Sequence, residues 1–475
     1  MTIDERINGL LAPIADWLGK VVFFAVPVGE AQLPLIVAWL IMGGVVCTIA
    51  FRFVNLRGFR HSARVIRGDY SSIRHPGEAT PFQALSTAVS GTVGLGSIGG
   101  VAVAVTLGGP GATLWMMVAG FLGMSLKFAE VTLAVKYRRV RADGTVTGGA
   151  MYYVPEALGR IGMPRLGKFL AGFFCVAAIG GSVTIFQVSQ AYSQVREVTG
   201  FDQAFLFGLM VAVWIGIVLF GGVKRIVYWT DKLSPFMCLL YVAACLVVLA
   251  ANYSNILPAF ATIVREAFAP DAVAGGVVGA LIQGFRRAAF ANEAGIGSAP
   301  MAHATVRTNE PMSQGFAALM EPFLDTIIIC LLSALVIVVS GVDGTSTNVG
   351  IALTSDAFAT VIPWFPAVLA VVAVLFALST VLAWGYYGEQ AWMWLFSEAK
   401  ASRVAFRLFL CSMLSIAATF PLDQVVNIVD SCSFCMAIPN IIAIYLLMPE
   451  LRADLASYWQ RVVLKNGAAE SKVAT

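Results

Sequence analysis

The sequence predicts an all-α polytopic membrane protein, and its composition carries the prediction. Of the 475 residues, 59% are hydrophobic and only 12% are charged, whereas soluble proteins carry about 25% charged residues. The mean hydropathy is +0.82. The apolar residues gather in stretches of roughly 20, the length that a helix needs to cross the hydrocarbon core of a bilayer. A soluble globule of this length would lack the polar surface to stay hydrated.

Eleven apolar segments, bounded by charged residues or by Pro and Gly clusters, predict about eleven transmembrane helices. The polar stretches between them are too short to bury a core of their own, so we expect no appended catalytic domain. The segments are 33–53, 82–107, 112–136, 168–192, 204–222, 233–251, 272–290, 313–341, 361–386, 404–421 and 425–448.

Basic residues distinguish the two ends of these segments. Only Arg6, Lys20, Arg196 and Arg265 fall on one side, whereas the other side holds most of the remaining lysines and arginines. Because cytoplasmic loops carry the excess of Lys and Arg, we expect the N-terminus outside and the C-terminus in the cytoplasm, in a bacterial inner membrane. The net charge of +4 is small, and the basic residues lie in scattered loops instead of on one face, which argues against a nucleic-acid partner.

The two ends of the chain flank the transmembrane region, which we place at 33–448. Residues 1–32 are interrupted by acidic and basic side chains, so we expect a periplasmic amphipathic segment at the membrane surface instead of a cleavable signal peptide. Residues 449–475 are expected to form a cytoplasmic tail.

Glycines crowd the second apolar segment, PFQALSTAVSGTVGLGSIGGVAVAVTLGGP. Each glycine costs a helix about 1 kcal/mol relative to alanine, so we expect this helix to unwind. Freed carbonyl groups then coordinate a cation, and freed amides hold a carboxylate. Close helix packing is the alternative. A dinucleotide site is not supported, because no strand precedes the G-x-G-x-x-G pattern. The glycines are Gly91, Gly94, Gly96, Gly99 and Gly100.

The seventh segment shows a second predicted interruption. Gly275, Gly276, Gly279 and Gly284 lie in its apolar run, which ends in NEAGIGSAP. Two interrupted helices five segments apart are typical of transporters built from an inverted repeat. We therefore expect a five-plus-five repeat, with a first repeat at 82–251 and a second at 272–448, after an extra helix at 33–53.

Polar side chains in two other segments are candidates for binding. Ser379 and Thr380 are neighbouring hydroxyls in the ninth segment, and Trp384 follows one turn later on the same face. Hydroxyl oxygens suit a small hard cation such as sodium, although they also bond back to their own helix. Gln187 in the fourth segment contacts either a ligand or a neighbouring helix.

Ionisable residues at membrane depth are functional candidates because they are costly to bury. Asp325 is a cation ligand, a proton acceptor or a partner in a structural hydrogen bond, and the sequence leaves these alternatives open. Lys127 and Glu130 are three positions apart and are expected to pair locally. His303 is expected to be inert, and the three histidines are too scattered for a metal site. Packing or gating at helix ends is expected for Glu389, Asn427 and Asp430.

Cys432 and Cys435 form a lone C-x-x-C motif in the last segment. No second pair and no nearby histidine accompany it, so we interpret these cysteines as small buried hydrophobic residues.

Several motifs resemble those of the alanine or glycine:cation symporter family. The resemblance extends from about residue 80 to about residue 445 and implies the five-plus-five fold with one extra N-terminal helix. It also implies uptake of alanine, glycine or a similar amino acid, driven by sodium or protons. The matching stretches are LSTAVSGTVGLGSIGGVA, GGPGATLWMMVAGFLGMSLKFAEVTLAVKYR, GGAMYY, FGGVKRI, FANEAGIGSAP, FLDTIIIC and FALSTVLAWGYYGEQ.

The resemblance also implies site residues. By similarity to sodium symporters of this architecture, the cation is expected between the backbone oxygens of Ser90 and Val93 and the hydroxyls of Ser379 and Thr380. Two positions depart from the family pattern. Ser97 replaces an expected Asn, and Val277 replaces an expected aromatic residue that lines the pocket. The implied substrate-binding residues are Thr92, Gly94, Gly96, Ser97, Gln187, Val277, Thr380 and Trp384.

The predicted function is therefore secondary active import of a small neutral amino acid, coupled to sodium by alternating access. The alternatives of the same fold are coupling to protons and a different or bulkier amino acid. An ion channel would require rings of like residues from several subunits. An intramembrane enzyme would require a convergent catalytic set, and no H-E-x-x-H motif occurs. We expect no enzyme activity, no cofactor apart from the coupling ion, and no other metal.

Overall fold

The computed structural model describes residues 13, 15–28, 31–72, 75–140, 145–269, 276–342, 348–420 and 422–464. Residues 15–22 are helical, but the beginning of the predicted amphipathic segment, the end of the predicted tail and Gly275 lie outside the described residues. Two short antiparallel hairpins depart from an all-α fold. Strand β1 (Ala25–Val28) pairs with β2 (Ala31–Pro34), and β3 (Arg139–Val140) pairs with β4 (Val146–Thr147).

Helices make up most of the described chain. Those of the N-terminal half are α1 (Leu35–Ala50), α2 (Val54–Arg57), α3 (Phe59–Arg67), α4 (Pro81–Thr92), α5 (Leu95–Gly108), α6 (Ala112–Lys136), α7 (Ala150–Arg160), α8 (Pro164–Ser182), α9 (Ile185–Thr199), α10 (Ala204–Leu219), α11 (Val223–Ala251) and α12 (Tyr253–Ala267).

The C-terminal half continues the helical bundle. Its α-helices are α13 (Gly276–Asn292), α14 (Pro300–His303), α15 (Pro311–Ala318), α16 (Met320–Pro322), α17 (Leu331–Ser340), α18 (Ile351–Ala359), α19 (Phe365–Leu395), α20 (Lys400–Ala417) and α21 (Leu422–Tyr458). Two π-helices, Phe323–Cys330 and Trp459–Leu464, follow α16 and α21.

Each of the eleven predicted apolar segments lies on one or more of these helices. Seven helices in the described part of the chain are long and apolar enough to cross a membrane, two of them across a break. Helices α1 and α10 are apolar but shorter, with 16 residues each. The predicted number of eleven spans therefore stays a prediction, while the helical architecture, with helices long and apolar enough to cross a membrane, is observed.

Helix α1 packs closely on the bundle through two glycines. A Cβ built on Gly44 would lie 2.9 Å from the Leu122 Cβ of α6, and one built on Gly43 would lie 3.1 Å from the Ile441 Cδ1 of α21. These contacts let the backbones approach as small residues do at helix interfaces in membranes. They attach α1 to two elements that border the site described below.

The predicted break in the second segment is present, and it is short. Helix α4 ends at Thr92, Val93 and Gly94 are extended, and α5 begins at Leu95. Gly96 and Gly99 remain helical, and a Cβ on either would lie close to a neighbour: 3.2 Å from the Phe290 ring for Gly96 and 2.9 Å from Gln190 Oε1 for Gly99. Both interpretations of the glycines therefore apply: one residue pair unwinds, and the other glycines allow close packing.

The second break lies on the C-terminal side of the glycine-rich run that predicted it. Helix α13 continues unbroken through Gly284, whose missing side chain makes room for the Trp115 Cβ, 2.6 Å from a built Cβ. The chain leaves the helix only after Asn292, at Glu293, where φ is 54°. Gly295 and Gly297 follow with φ of 83° and 90° before α14 begins. The NEAGIGSAP motif is thus the interruption itself.

Two further irregularities were not predicted. The fourth segment is divided between α8 and α9 at Thr184, a non-glycine residue with φ of 49°. The eighth segment contains the π-helix Phe323–Cys330, which includes Asp325. Both are uncommon backbone geometries that often occur at functional sites.

Candidate functional site

A buried hydroxyl cluster connects the end of α4 to the middle of α19. Thr380 Oγ1 donates to the Ser90 carbonyl at 3.0 Å. The Ser90 hydroxyl donates to the Ser379 carbonyl at 3.1 Å and also contacts the Ser379 hydroxyl. Ser90 lies in the last turn of α4, where carbonyl groups lack partners in their own helix. The bonds of Ser379 and Thr380 cross to α4 instead of returning to α19. They bring together three of the four oxygen atoms predicted to surround a cation: the Ser90 carbonyl and the hydroxyls of Ser379 and Thr380.

The Gln187 side chain is hydrogen-bonded to the backbone at the break between α4 and α5. Its Oε1 accepts a hydrogen bond from the Leu95 amide at 3.0 Å, so it satisfies one of the unpaired donors at the start of α5. A Cβ built on Gly94 would lie 2.6 Å from Thr380 Oγ1 and 3.3 Å from Gln187 Oε1. The φ of Gly94, −157°, is ordinary extended backbone that other residues also adopt. Glycine is therefore required here because a side chain would not fit. Thr380, Gln187 and Gly94 meet at one point.

A small cavity lies beside this point. Its volume is about 20 Å³, close to the space of one water molecule. Three predicted residues, Thr92, Gln187 and Trp384, line it. The other lining residues are Gly91, Gly181, Thr184, Phe186, Phe290, Glu293 and Val429. The cavity therefore joins both predicted breaks and the unpredicted one at Thr184.

Glu293, at the start of the second break, is bonded to the predicted residue Trp384. The indole Nε1 of Trp384 donates to Glu293 Oε1 at 2.8 Å, and the Ser298 hydroxyl donates to Oε2. Phe186 and Phe290 meet edge to face on the same cavity, with centroids 5.1 Å apart. The cavity thus has aromatic walls, one carboxylate and one carboxamide.

Ser97 and Asp325 contact each other away from this cavity. The Ser97 hydroxyl donates to Asp325 Oδ1, and Thr326 Oγ1 donates to Oδ2 at 2.9 Å. Asn292, the last residue of α13, donates to Thr326 Oγ1 at 2.9 Å. Asp325 is fully buried. Among its three predicted roles, these contacts agree with the structural hydrogen bond, and they connect the first break to the second.

Two other predicted substrate positions differ in their placement. Gly96 packs against the Phe290 ring, as described above. Val277 lies in the first turn of α13, thirteen positions before Phe290, which is about 20 Å along a helix axis. The structure does not bring Val277 together with the other predicted residues; Phe290 is the aromatic residue of α13 at the cavity.

A buried charged cluster lies next to the second break. Lys127 Nζ is 3.3 Å from a carboxylate oxygen of both Glu130 and Glu321, and it donates to the Glu293 carbonyl at 3.2 Å. The predicted local pair of Lys127 and Glu130 is thereby confirmed. His303, expected to be inert, is fully buried and lies 3.3 Å from Glu321 Oε2. Within the described ranges, no group of His, Cys, Asp and Glu has the arrangement of a metal site.

The remaining predicted polar residues join helices. Asp430 accepts from Arg286 Nε at 2.8 Å and also pairs with Arg287, so it connects α21 to α13. Glu389 pairs with Arg407 Nε at 2.6 Å and connects α19 to α20. Cys432 and Cys435 are free thiols.

Comparison with known proteins identifies the family. A family model described as the sodium:alanine symporter family matches residues 23–473. The chain belongs to this family. The resemblance seen in its motifs is confirmed, and the chain is a transporter and a multi-pass membrane protein, not an enzyme.

Two curated relatives cover most of the chain. The sodium/alanine symporter AgcS of Methanococcus maripaludis is 36% identical over 418 residues, 87% of this chain and 92% of the relative. The probable sodium/glutamine symporter GlnT of Bacillus subtilis is 32% identical over 426 residues, 89% of this chain and 87% of the relative.

A solved structure supports the fold. The crystal structure of MhsT in complex with L-phenylalanine has a TM-score of 0.52 and 13% identity, and it covers 81% of this chain and 99% of that chain. At this identity the likeness concerns the fold alone.

Glu293, Asn292 and Phe290 are the main site residues that sequence reasoning did not assign. All three lie in or beside the NEAGIGSAP motif. A carboxylate directly after an apolar run is a functional candidate for the same reason as Asp325: an ionisable group at membrane depth is costly to bury. The signal was therefore present for Glu293, although its partner Trp384 is 91 positions away.

Proposed function

We propose that this protein imports a small neutral amino acid together with sodium, by alternating access. One observation carries the proposal: Val93 and Gly94 leave the helix between a hydroxyl cluster, formed by Ser90, Ser379 and Thr380, and the carboxamide of Gln187. This junction offers oxygen ligands on one side and backbone donors on the other. The names of the relatives, which include sodium/alanine and sodium/glutamine symporters, agree with it.

Sodium is proposed to bind between α4 and α19. Its ligands would be the carbonyl oxygens of Ser90 and Val93 and the hydroxyls of Ser379 and Thr380. Hard cations prefer oxygen ligands of this kind. All of these residues are fully buried, so a bound cation would replace hydrogen bonds between α4 and α19 and hold the two helices together.

The amino acid is proposed to bind at the start of α5. Its carboxylate would accept from amides in the first turn, where the helix dipole is positive. Its ammonium group would lie toward the Glu293 carboxylate. Trp384, Phe290 and Gly181 leave little space at the cavity, which favours a small side chain. A bulkier amino acid remains the alternative, and it would require these aromatic rings to move.

The overall arrangement is also part of the proposal. The transmembrane region 33–448 would contain an extra helix at 33–53 and inverted repeats at 82–251 and 272–448. The N-terminus would lie outside and the C-terminus in the cytoplasm of a bacterial inner membrane. The positions of the two breaks, in the second and the seventh helical segments, support this symmetry.

Coupling to protons is a second candidate, favoured by the buried charges. Lys127 supplies one ammonium group to the carboxylates of Glu130 and Glu321, and Glu293 lies beside them. Buried carboxylates without a matching cation hold protons instead of staying charged. A proton bound in this cluster would reach the substrate site through Glu293.

Uptake into proteoliposomes separates these candidates. We expect labelled alanine to accumulate when an inward sodium gradient is imposed at equal pH, and not when only a pH gradient is imposed. Thr380→Val should raise the sodium concentration for half-maximal uptake at least about tenfold, the effect of losing roughly 1.4 kcal/mol of binding.

Thr360→Val is the matched control, because the Thr360 hydroxyl bonds the Ala357 carbonyl of its own helix turn at 2.7 Å, outside the site. Uptake that depends on the pH gradient alone would reject sodium coupling. Unchanged sodium dependence in Thr380→Val would reject the proposed cation site.

A further inference from the structure

A basic pocket lies where the end of α1 meets the end of α21. Its volume is about 660 Å³, far larger than the cavity at the transport site. Three of its lining residues are arginines, and none is acidic. The lining consists of Ala50, Phe51, Arg52, Val54, Arg57, Pro449, Arg452, Ala453, Leu455, Ala456, Trp459, Gln460 and Leu464.

The backbone after α1 brings two of these arginines together. Arg52 and Phe53 have φ of 53° and 56°, values that non-glycine residues seldom adopt. The left-handed pair turns the chain sharply, and the Phe53 amide donates back to the Thr48 carbonyl at 2.8 Å. The short helix α2 then places the Arg57 guanidinium over the Trp459 ring, 4.7 Å from its centroid.

The arginines of the pocket have no carboxylate partner among the described residues. In the part of the chain that the structure describes, none of Arg52, Arg57 and Arg452 forms an ion pair. Elsewhere at this end of the bundle arginines do find carboxylates, as Arg461 does with Glu310 at 2.9 Å. The guanidinium fork is well suited to phosphate oxygens.

Apolar surface adjoins the arginines. The side chains of Phe53, Leu56 and Leu464 are 47%, 63% and 57% exposed. A pocket with cationic walls beside exposed apolar groups, at the end of membrane helices, fits an amphiphile with an anionic head. In the proposed orientation this end faces the cytoplasmic leaflet.

We propose that this pocket binds the headgroup of an anionic phospholipid, with Arg52, Arg57 and Arg452 around its phosphate. The acyl chains would lie along Phe53, Leu56 and Leu464. Because the walls come from both α1 and α21, the lipid stabilises the attachment of the extra N-terminal helix to the bundle. The proposal does not depend on which solute the protein transports.

Thermal unfolding of the full-length protein in a neutral detergent tests the proposal. Dioleoyl phosphatidylglycerol, dioleoyl phosphatidylcholine and inorganic phosphate are titrated separately while Trp fluorescence reports the unfolding midpoint. A ligand that binds only the folded state raises this midpoint as its concentration increases. We expect a saturable rise with phosphatidylglycerol, and little change with the other two additives.

Arginine variants test whether phosphatidylglycerol binds in this pocket. Each surface cation contributes about 1 kcal/mol to binding an anionic lipid, so Arg52→Gln should weaken the apparent affinity about fivefold. The triple variant Arg52→Gln/Arg57→Gln/Arg452→Gln should weaken it about a hundredfold. Arg165→Gln is the control, because Arg165 is exposed and does not line the pocket.

Each other outcome overturns the proposal. An equal rise with phosphatidylcholine would indicate a general lipid effect. An equal rise with inorganic phosphate would indicate a site for free anions. Unchanged phosphatidylglycerol affinity in the triple variant would place the lipid elsewhere. The wild-type titrations decide the first two outcomes even where a variant does not fold.

Discussion

The indole of Trp384 donates a hydrogen bond to the Glu293 carboxylate across 2.8 Å. This contact joins the long helix α19 to the interruption after α13, two elements that are distant in the chain. It also places a charged group on the wall of the small cavity. The relationship connects a residue expected at the substrate site with one that was not.

Replacing Trp384 by Phe removes this bond while keeping an aromatic ring. A hydrogen bond to a charged group contributes about 1.5–3 kcal/mol, so we expect the apparent affinity for the amino acid to fall at least about tenfold. Initial rates of uptake against substrate concentration give this value. Trp392→Phe, in the same helix, loses the bond to Ser402. Because Trp392 does not line the cavity, this variant should transport normally. Equal affinities in both variants would contradict a role for the Trp384–Glu293 bond.

Gly94→Ala should abolish uptake. The added methyl group would lie 2.6 Å from Thr380 Oγ1, too close without displacing the hydroxyl from Ser90. Gly159→Ala in α7 is the matched control, because a Cβ there meets nothing within 4 Å and alanine favours a helix by about 1 kcal/mol. Uptake rates at equal amounts of reconstituted protein compare the two. Normal uptake by Gly94→Ala would contradict the close approach of Gly94 to Thr380 Oγ1.

Lys127→Met should strongly destabilise the folded protein. It leaves the carboxylates of Glu130 and Glu321 buried without a cation, a loss of about 3–5 kcal/mol for a broken buried pair. The midpoint of thermal unfolding in detergent measures this loss. Lys136→Met should cost about 1 kcal/mol or less, because Lys136 is 27% exposed.

A second substitution checks the cause of the Lys127→Met effect. Glu321→Gln in the Lys127→Met background removes one of the uncompensated charges and should recover part of the stability. If the double variant is no more stable than the single one, loss of charge balance is not the reason for the instability.

His61 should make stability depend on pH at the edge of the bundle. Its ring lies 2.8 Å from the Tyr458 hydroxyl. Burial, with a smaller contribution from Arg64, lowers the pKa of His61 from 6.5 to about 4. The folded state therefore favours the neutral ring. The stability from this group is fully present above pH 6.5 and is lost as the pH falls from 6.5 toward 4.

His61→Gln should reduce the fall of the unfolding midpoint between pH 6.5 and pH 4, because glutamine does not titrate. His75→Gln replaces a half-buried histidine elsewhere and serves as the control. A wild-type midpoint that falls no more steeply than that of His61→Gln would remove His61 from this explanation.

The sequence predicted the helical elements and the first break well, because both leave strong local signals. Long apolar runs mark membrane helices, and clustered glycines mark the place where Val93 and Gly94 unwind. The hydroxyls of Ser379 and Thr380 stood out because polar groups are rare in such runs. Their meeting with Ser90 follows from the family resemblance.

Other features leave no local signal. Thr184 adopts a left-handed backbone although its residue type is seldom found there. The π-helix Phe323–Cys330 differs from an α-helix only in hydrogen-bond spacing, which hydropathy does not report. Phe290, instead of Val277, reaches the cavity because the position along α13 depends on how that helix packs against α6. Such facts follow from tertiary contacts between distant residues.

The small volume of the cavity, roughly 20 Å³, has a kinetic consequence. A solute larger than a water molecule does not fit this space, so its binding requires residues that line the cavity to move, and we expect its association rate to lie below the diffusion limit. Raising the solute concentration then accelerates binding only up to a plateau, whose height is the rate at which the cavity opens.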